Sequence, residues 1–371
     1  MNSFNSNAMN SKIAYSKNES SEYHYKKLRG LVNERLKELP PARRKNIQIL
    51  AVLLPSLYVV IYLTALSQID DIPTFYSLYC LMGIIIVFTF LSVIHETVHG
   101  NLFNNSVATK GILWFMDLSG ANSYIWKRRH VTMHHNFPNI SGWDTDIQQS
   151  GIIKIYPHGK PSQFQRYQHF FFFFLYPLYL LNWVFIRDMK DFFSADRLIQ
   201  KTIQIPRMER IKMLLFKAIY VFYMLLVPIM LGLPVIHAFL ALSSMLILAG
   251  VFALVSLLTP HANIKSEFPL PDETQSIRNG WFLHQFHTTN DISVNNWMTR
   301  NLMGNFNYHL AHHLFPNISC TYAPEITEVI RNYAKENDLP YRTYPLITAL
   351  RYHFLLLKQN AQHEDIFEED M

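Results

Sequence analysis

The sequence predicts an all-α integral membrane fold: two transmembrane helical hairpins, four spans in all, with a cytoplasmic helical cap that gathers a metal site, plus one interfacial or re-entrant helix. Three observations predict it. Long apolar stretches come in two pairs, each joined by a short link. Basic residues gather beside those stretches, and histidines fall into three tight clusters just outside them.

The first pair runs from about Ile47 to Leu66 and from about Ile72 to Ile94, each long enough to cross a hydrocarbon core of roughly 30 Å at about 1.5 Å per residue. Their link, Ser67 to Asp71, carries only acidic charge, whereas Lys26, Lys27, Arg29, Arg35, Lys37, Arg43, Arg44 and Lys45 precede the first span. The positive-inside rule then holds the N-terminus in the cytoplasm and makes the pair an in-out-in hairpin. The second pair runs from about Met213 to Leu231 and from about Val235 to Leu258, joined at Gly232-Leu233-Pro234 and preceded by Arg207, Arg210 and Lys212, so it also returns to the cytoplasm. Between the pairs, His169 to Ile186 is apolar enough to span but carries Tyr and Trp, and its run Phe170 to Phe174 reads as lipid-facing. A single crossing there would put the basic segment Arg187 to Lys212 outside and part the third histidine cluster from the first two, so an interfacial or re-entrant helix is expected.

Composition agrees with this plan. Half of the 371 residues are apolar, 14% are aromatic and only 16% are charged, while a mean hydropathy of +0.05 leaves room for a polar cap. Cys80 and Cys320 stand far apart, so neither a disulfide framework nor a thiolate metal site is suggested. The net charge of +6 is not laid out in a basic stripe, so no nucleic-acid partner is expected. Residues 1–23, rich in Asn and Ser to about Glu22, read as a disordered lead without a signal peptide; residues 24–358 form a single membrane domain; residues 359–371, with the run Glu364 to Asp370, form a solvated acidic tail. The chain shows no dinucleotide fingerprint, no CxxC and no haem-binding His-Pro-Gly-Gly, so electrons for any redox step come from a separate protein.

The feature to explain is the histidine content, seventeen in all. His95-Glu-Thr-Val-His99 closes the second span, and its i, i+4 rings share one helix face. Alone it also fits a zinc protease helix with Glu96 as base. His130-Val-Thr-Met-His134-His135 places its first two rings on one face, with the third about 100° around. His309-Leu-Ala-His312-His313 repeats the pattern after the last span. A single catalytic zinc takes about three protein ligands; eight clustered imidazoles argue for two metals, and redox work on an unactivated substrate argues for iron. A non-enzymatic metal carrier would want ionisable groups inside the spans, which hold few, His237 near one end among them.

These clusters resemble the three histidine boxes of the membrane fatty-acid desaturases, and within them the bacterial acyl-lipid and linoleoyl-CoA desaturase-like branch. The matching residues are His95-Glu-Thr-Val-His99-Gly-Asn, His130 to His135, and Asn307-Tyr-His309-Leu-Ala-His312-His313-Leu-Phe-Pro316. Trp281-Phe-Leu-His-Gln-Phe-His-Thr-Thr289 resembles the stretch before the third box, and the likeness covers about His95 to Pro316. It implies two iron ions that activate O2 and remove two hydrogens from a fatty acyl chain, carried as acyl-CoA, acyl-carrier protein or acyl-lipid. Electrons would come from a ferredoxin or cytochrome b5 type donor with its reductase. A hydroxylase, acetylenase or ketolase on the same scaffold is the alternative. The site would face the cytoplasm among membrane lipids, with both termini on that side.

By the same resemblance the ligands are His95, His99, His130, His134, His135, His309, His312 and His313, with His261 in Thr-Pro-His-Ala-Asn as a ninth. His284 and His287 are its rivals, or, with Gln285, hydrogen-bond partners of the ligands. Asp144 and Asp146 after Gly142 either orient imidazoles or form a solvated turn. Lys127, Arg128 and Arg129 either grip a substrate phosphate or supply interfacial positive charge. Departures from the common pattern are Glu96 for Asp, Ala311 where Glu is frequent, and His309 where some relatives have Gln; the alanine removes a carboxylate from around the third box.

Overall fold

The computed structural model describes residues 13–147 and 150–362. The chain begins with a two-residue strand, β1 (Ala14–Tyr15), and helix α1 (Glu19–Lys37), whose first turn is capped by the Asn18 side chain accepting from the Ser21 amide. The disordered lead expected over residues 1–23 is therefore corrected from residue 13 onward. Ile13 is buried with Ile140 and Ile277, and β1 pairs in parallel with β2 (Ser276–Ile277), contacts that a low-complexity reading does not reveal. Residues 1–12 lie outside the described residues.

Helices α2 (Pro41–Ser67) and α3 (Ile72–Val98) form the first hairpin, with Asp71 capping α3 at the Thr74 amide. Then come α4 (Ser106–Leu118) and α5, which starts as Ser123–Lys127 and continues over Arg128–His134 with i→i+5 hydrogen bonding. Next is α6 (Gln165–Thr202), tightened to 3₁₀ geometry at Tyr176–Leu178 around Pro177 and widened at Trp183–Arg187. The second hairpin is α7 (Arg207–Met230) and α8 (Val235–Leu258), turning at Gly232 with φ +110°, where a side chain would be strained. The cap continues with α9 (Gly280–Thr288), strand β3 (Asp291–Ile292), α10 (His309–Leu314), α11 (Ala323–Glu336), strand β4 (Thr343–Tyr344) paired with β3, and α12 (Leu346–Gln362). The first residues of the expected tail, 359–362, are the last turn of α12; the rest lies outside the described residues.

Five helices, α2, α3, α6, α7 and α8, are long and apolar enough to cross a bilayer, which makes this a multi-pass membrane protein. Their core packs Leu54, Tyr58, Tyr79, Met82, Met224 and Met245, while Ile49, Val52, Val60, Leu215, Ile236 and Phe239 lie exposed on the outer faces. A surface apolar on the outside as well as the inside is what lipid demands. Helices α3 and α8 approach closely at Gly83, where an added Cβ would stand 2.6 Å from the Met245 carbonyl. Gly250 of α8 does the same for α6, whose Pro177 carbonyl would lie 2.7 Å from a Cβ there. Phe170, Phe173 and Phe174 of α6 are exposed, and Phe172 packs with Leu357 of α12. Both ends of the apolar part of α6 bond cap segments: Gln168 bridges Lys154 and the Leu357 carbonyl, and Arg187 donates to the Thr145 carbonyl.

One ion pair ties two of these apolar helices together. Lys217 of α7 reaches Asp188 of α6 at 2.9 Å and also donates to the Gly120 and Val184 carbonyls. Asp188 is buried and Lys217 partly so, and each is bonded to several partners, which is how a charge is kept inside an apolar bundle.

Candidate metal centre

The rings converge because three helix ends meet there. α3 changes to i→i+5 bonding over Thr89–Ile94 just before His95, α5 does so over Arg128–His134, and α10 brings in the third cluster. The five residues His95, His99, His130, His135 and His312 form one group, and His134, His261, His309 and His313 another; within each group the ligand nitrogens lie within 4.8 Å of one another. The nine rings are buried, apart from a partly exposed His312.

The division differs from the helical-face expectation in one respect. His130 and His134 share a face as the spacing predicts, their rings stacked at 5.4 Å and grouped with Asp146, yet His130 also sides with His135. The widened turn is the reason, since the His135 amide bonds the His130 carbonyl and brings i and i+5 into register. In α10, with ordinary spacing, His309 and His313 stay together and His312 turns to the other group.

Four of the nine rings are oriented by an acceptor that has no proton to give. His130 donates its Nδ1–H to Asp146 Oδ2 at 2.7 Å, His134 to Asp144 Oδ1 at 2.9 Å, His313 to Gln285 Oε1 at 3.0 Å and His261 to the Thr288 carbonyl at 3.3 Å. Donation at Nδ1 leaves the Nε2 lone pair facing inward. The Nε2 atoms of His95 and His130 stand 3.1 Å apart, those of His135 and His130 3.2 Å, and those of His309 and His261 2.7 Å. Both nitrogens of His99, and Nε2 of His312 and of His313, have no hydrogen-bond partner among the described residues. Buried, unpartnered nitrogens converging on one another are costly unless a cation takes their lone pairs, so the donor set fits two borderline metal ions.

Burial pushes His99 down to about 3, with Lys127 adding to it. It also holds His130, His135, His261, His309, His312 and His313 well below the ordinary value, the neighbouring imidazoles acting in the same sense. These rings stay neutral, the form that binds metal. For His134 burial acts downward, but the Asp144 carboxylate outweighs it and the ring is raised.

Asp144 is a fixed support, accepting also from the amides of Asn139, Asp146 and Ile147. Asp146 is held by Arg129 at 3.3 Å and faces Arg187 at 4.0 Å. Arg129 is thus not a surface group able to meet a substrate phosphate: it is 1% exposed and also bonds Asp191 at 3.2 Å. Lys127 and Arg128 are exposed. His284 bonds the Pro138 carbonyl at 2.8 Å, and His287 turns outward to Glu267 at 2.6 Å, so neither joins a metal group. Glu96 faces away from the rings and accepts from the Cys320 amide at 3.2 Å, which removes the protease-base role. Ala311 packs in the cap core with Leu28, Phe286 and Ile330, while Asp291 steadies the third box by accepting from the Leu310 amide at 2.8 Å.

Sequence reasoning missed Arg187 and Asp191, whose role is visible only once α6 folds back onto Asp146. It also missed Trp126, stacked on His130 at 4.9 Å, and Phe306, 5.3 Å from His95 and 4.7 Å from His309. A cavity of about 570 Å³ lies against the rings, lined by Trp126, Tyr179, Leu254 and Phe306 among others. Phe90, Trp183 and Leu257 are shared with a second cavity of about 590 Å³, lined almost wholly by apolar groups and ending near Met116 and Leu246.

Residues 72–345 match the family model described as fatty acid desaturase. The chain belongs to the fatty acid desaturase family. Among its desaturase relatives, an acyl-lipid (8-3)-desaturase of Physcomitrium patens is 32% identical over 252 residues, 66% of this chain and 52% of that one. An sn-1 linoleoyl-lipid 6-desaturase of Arthrospira platensis is 31% identical over 229 residues, 62% of each chain, and one of Synechocystis sp. is 25% identical over 257 residues, 69% of this chain and 71% of that one. This desaturase-family chain therefore matches between about half and seven tenths of the length of these relatives.

Proposed function

We propose that the chain is an O2-dependent di-iron desaturase that inserts a C=C bond into a fatty acyl chain esterified to a membrane lipid. The observation that carries the reading is the pair of buried imidazole groups, five and four rings, opening on an apolar cavity. The relatives' names support the lipid-bound acyl substrate.

His95, His99, His130, His135 and His312 would hold one iron and His134, His261, His309 and His313 the other. Bound there, the irons supply O2 activation, which a methylene C–H with no usable acidity requires. The balance is two hydrogens from adjacent carbons, with two electrons from a donor protein and two protons, reducing O2 to two waters. The chain's own part is to position and to exclude. Asp144, Asp146, Gln285 and the Thr288 carbonyl fix the rings; Phe90, Trp183 and Leu257 keep water from the acyl path and align it past His95 and His309. Asp146, held by Arg129, accepts from His130 Nδ1 and so orients that ring.

Four spans with both termini and the centre on the cytoplasmic side remain our assignment, α6 being re-entrant. Its support is that Gln168 and Arg187, at the two ends of the apolar part, bond Lys154 and Thr145 on the same cap. Purified protein is expected to hold about two irons per chain. Expressed with a matched ferredoxin or cytochrome b5 type donor, it should yield an acyl product two mass units lighter, and His312→Ala or His134→Ala should abolish that product while leaving the protein in the membrane. Stoichiometric zinc with intact activity would overturn the reading.

A further inference from the structure

A groove of about 1540 Å³ lies outside the two imidazole groups, between the first turns of α2 and the short helix Trp297–Asn301. Its two walls differ in chemistry. One is the α2 face with Ile49, Leu50 and Leu53, of which Ile49 and Leu53 are 61% and 53% exposed. The other is polar and cationic, with Arg43, Asn295, Arg300 and Asn301, and Trp297 stands at its edge, 69% exposed. Arg43 is paired with Glu325, whereas Arg300 uses Nε on Asn295 Oδ1 and makes no ion pair among the described residues. Arg44 and Lys45 add exposed positive charge at the same end of α2.

At its inner end Asn305 lines it and also lines a small adjoining space bounded by His95 and His312. Asn305 is 6% exposed and takes a positive φ of 54°; it donates to the Cys320 carbonyl at 2.9 Å and leaves Oδ1 without a partner among the described residues. His95 and Phe306 border both that cavity and the 570 Å³ cavity on the far side of the rings. Four spaces therefore lie side by side, from the outer face of α2, past the two imidazole groups, to the apolar end near Met116, with Asn305, His95 and Phe306 among the walls between them.

We propose that this groove seats the head of an anionic glycerophospholipid, its phosphate on Arg300 and one acyl chain led past Asn305 into the metal centre. This rests on the desaturase reading and names the carrier and its entry. A guanidinium suits a phosphate, a tryptophan suits the bilayer interface, and an apolar helix face suits the remaining acyl chain. The lipid is favoured over a coenzyme A thioester because the groove lining itself holds one guanidinium without an ion pair among the described residues, enough for a single phosphate, and runs along the apolar α2 face of Ile49, Leu50 and Leu53.

The test is photo-crosslinking of the full chain, metal-loaded, in nanodiscs of phosphatidylcholine doped with a photoactivatable phosphatidylglycerol, with a photoactivatable acyl-coenzyme A as the second arm. Crosslinks are expected within residues 46–53 and 297–305. Arg300→Gln should lower them roughly five- to tenfold, about the loss of one charge-assisted contact, and Trp297→Ala should lower them less, with iron content unchanged in both. Crosslinks absent from these segments, or undiminished in Arg300→Gln, overturn the proposal. So does labelling of the groove by acyl-coenzyme A in preference to the lipid. If labelling follows Arg300 but no lipid is desaturated, the groove stands and the desaturase reading falls; desaturation with no labelling has the opposite meaning.

Discussion

An imidazole able to hold a metal is only as well placed as the atom behind it, and His130 shows the point. Its Nδ1–H meets Asp146 at 2.7 Å, and Asp146 is held in turn by Arg129. Asp146→Asn keeps the shape and removes the charge, so the ring loses the partner that fixes its proton. Iron retention against a chelator should fall about 10- to 100-fold, the usual cost of disturbing such a support. Arg129→Lys should fall in the same direction, because an ammonium cannot reach Asp146 and Asp191 together as the guanidinium does. The sequence put Asp146 near the second box and left open whether it was a solvated turn. It put Arg129 beside Arg128 as one basic run, since burial is not written in a run of like charges.

Among the elements, spacing carried the histidine boxes a long way and then failed at a definite place. Ordinary helix periodicity foretells the His309–His313 pair, but the His130–His135 pair depends on one widened turn, which no residue in Arg128–His134 signals by type. The two apolar hairpins were legible because their length and flanking charge are strong signals. The pairing of Ala14–Tyr15 with Ser276–Ile277 was not, because a two-residue strand has no period. Helix packing gives a sharp expectation of its own. Gly83→Val drives a branched side chain against the Met245 carbonyl, with no flexible atom to yield, and should cost about 1–3 kcal/mol. Gly30→Ala, in α1 with open space around it, should instead stabilise by roughly 0.4–1 kcal/mol. Thermal unfolding of the two variants in the same detergent compares them directly.

For the whole molecule, burying so many imidazoles ties stability to pH. Burial pushes His284 and His353 each down to about 4, against an ordinary value near 6.5. Between those values the unfolded chain binds protons that the folded chain refuses, so stability is complete above about pH 6.5 and is lost as pH falls toward 4. By about pH 5 each ring should have withdrawn roughly 2 kcal/mol. Metal-free protein titrated from neutral to acid should lose its unfolding midpoint along that course, and His353→Gln should flatten the loss; a midpoint insensitive to pH above about 5 would contradict the burial. The apolar spans and the three boxes announced the architecture, yet the groove on α2 arises from residues scattered between Arg43 and Glu325.

The same scatter sets an order in time. The first two boxes leave the ribosome well before His261, His309, His312 and His313, and β1 waits for Ser276–Ile277 to be synthesised. Neither metal group contains a complete set of rings from the first half of the chain. On the di-iron reading, loading is then an event of late biogenesis: the spans are already inserted, β1 has found its partner strand, and only then are both groups of rings complete.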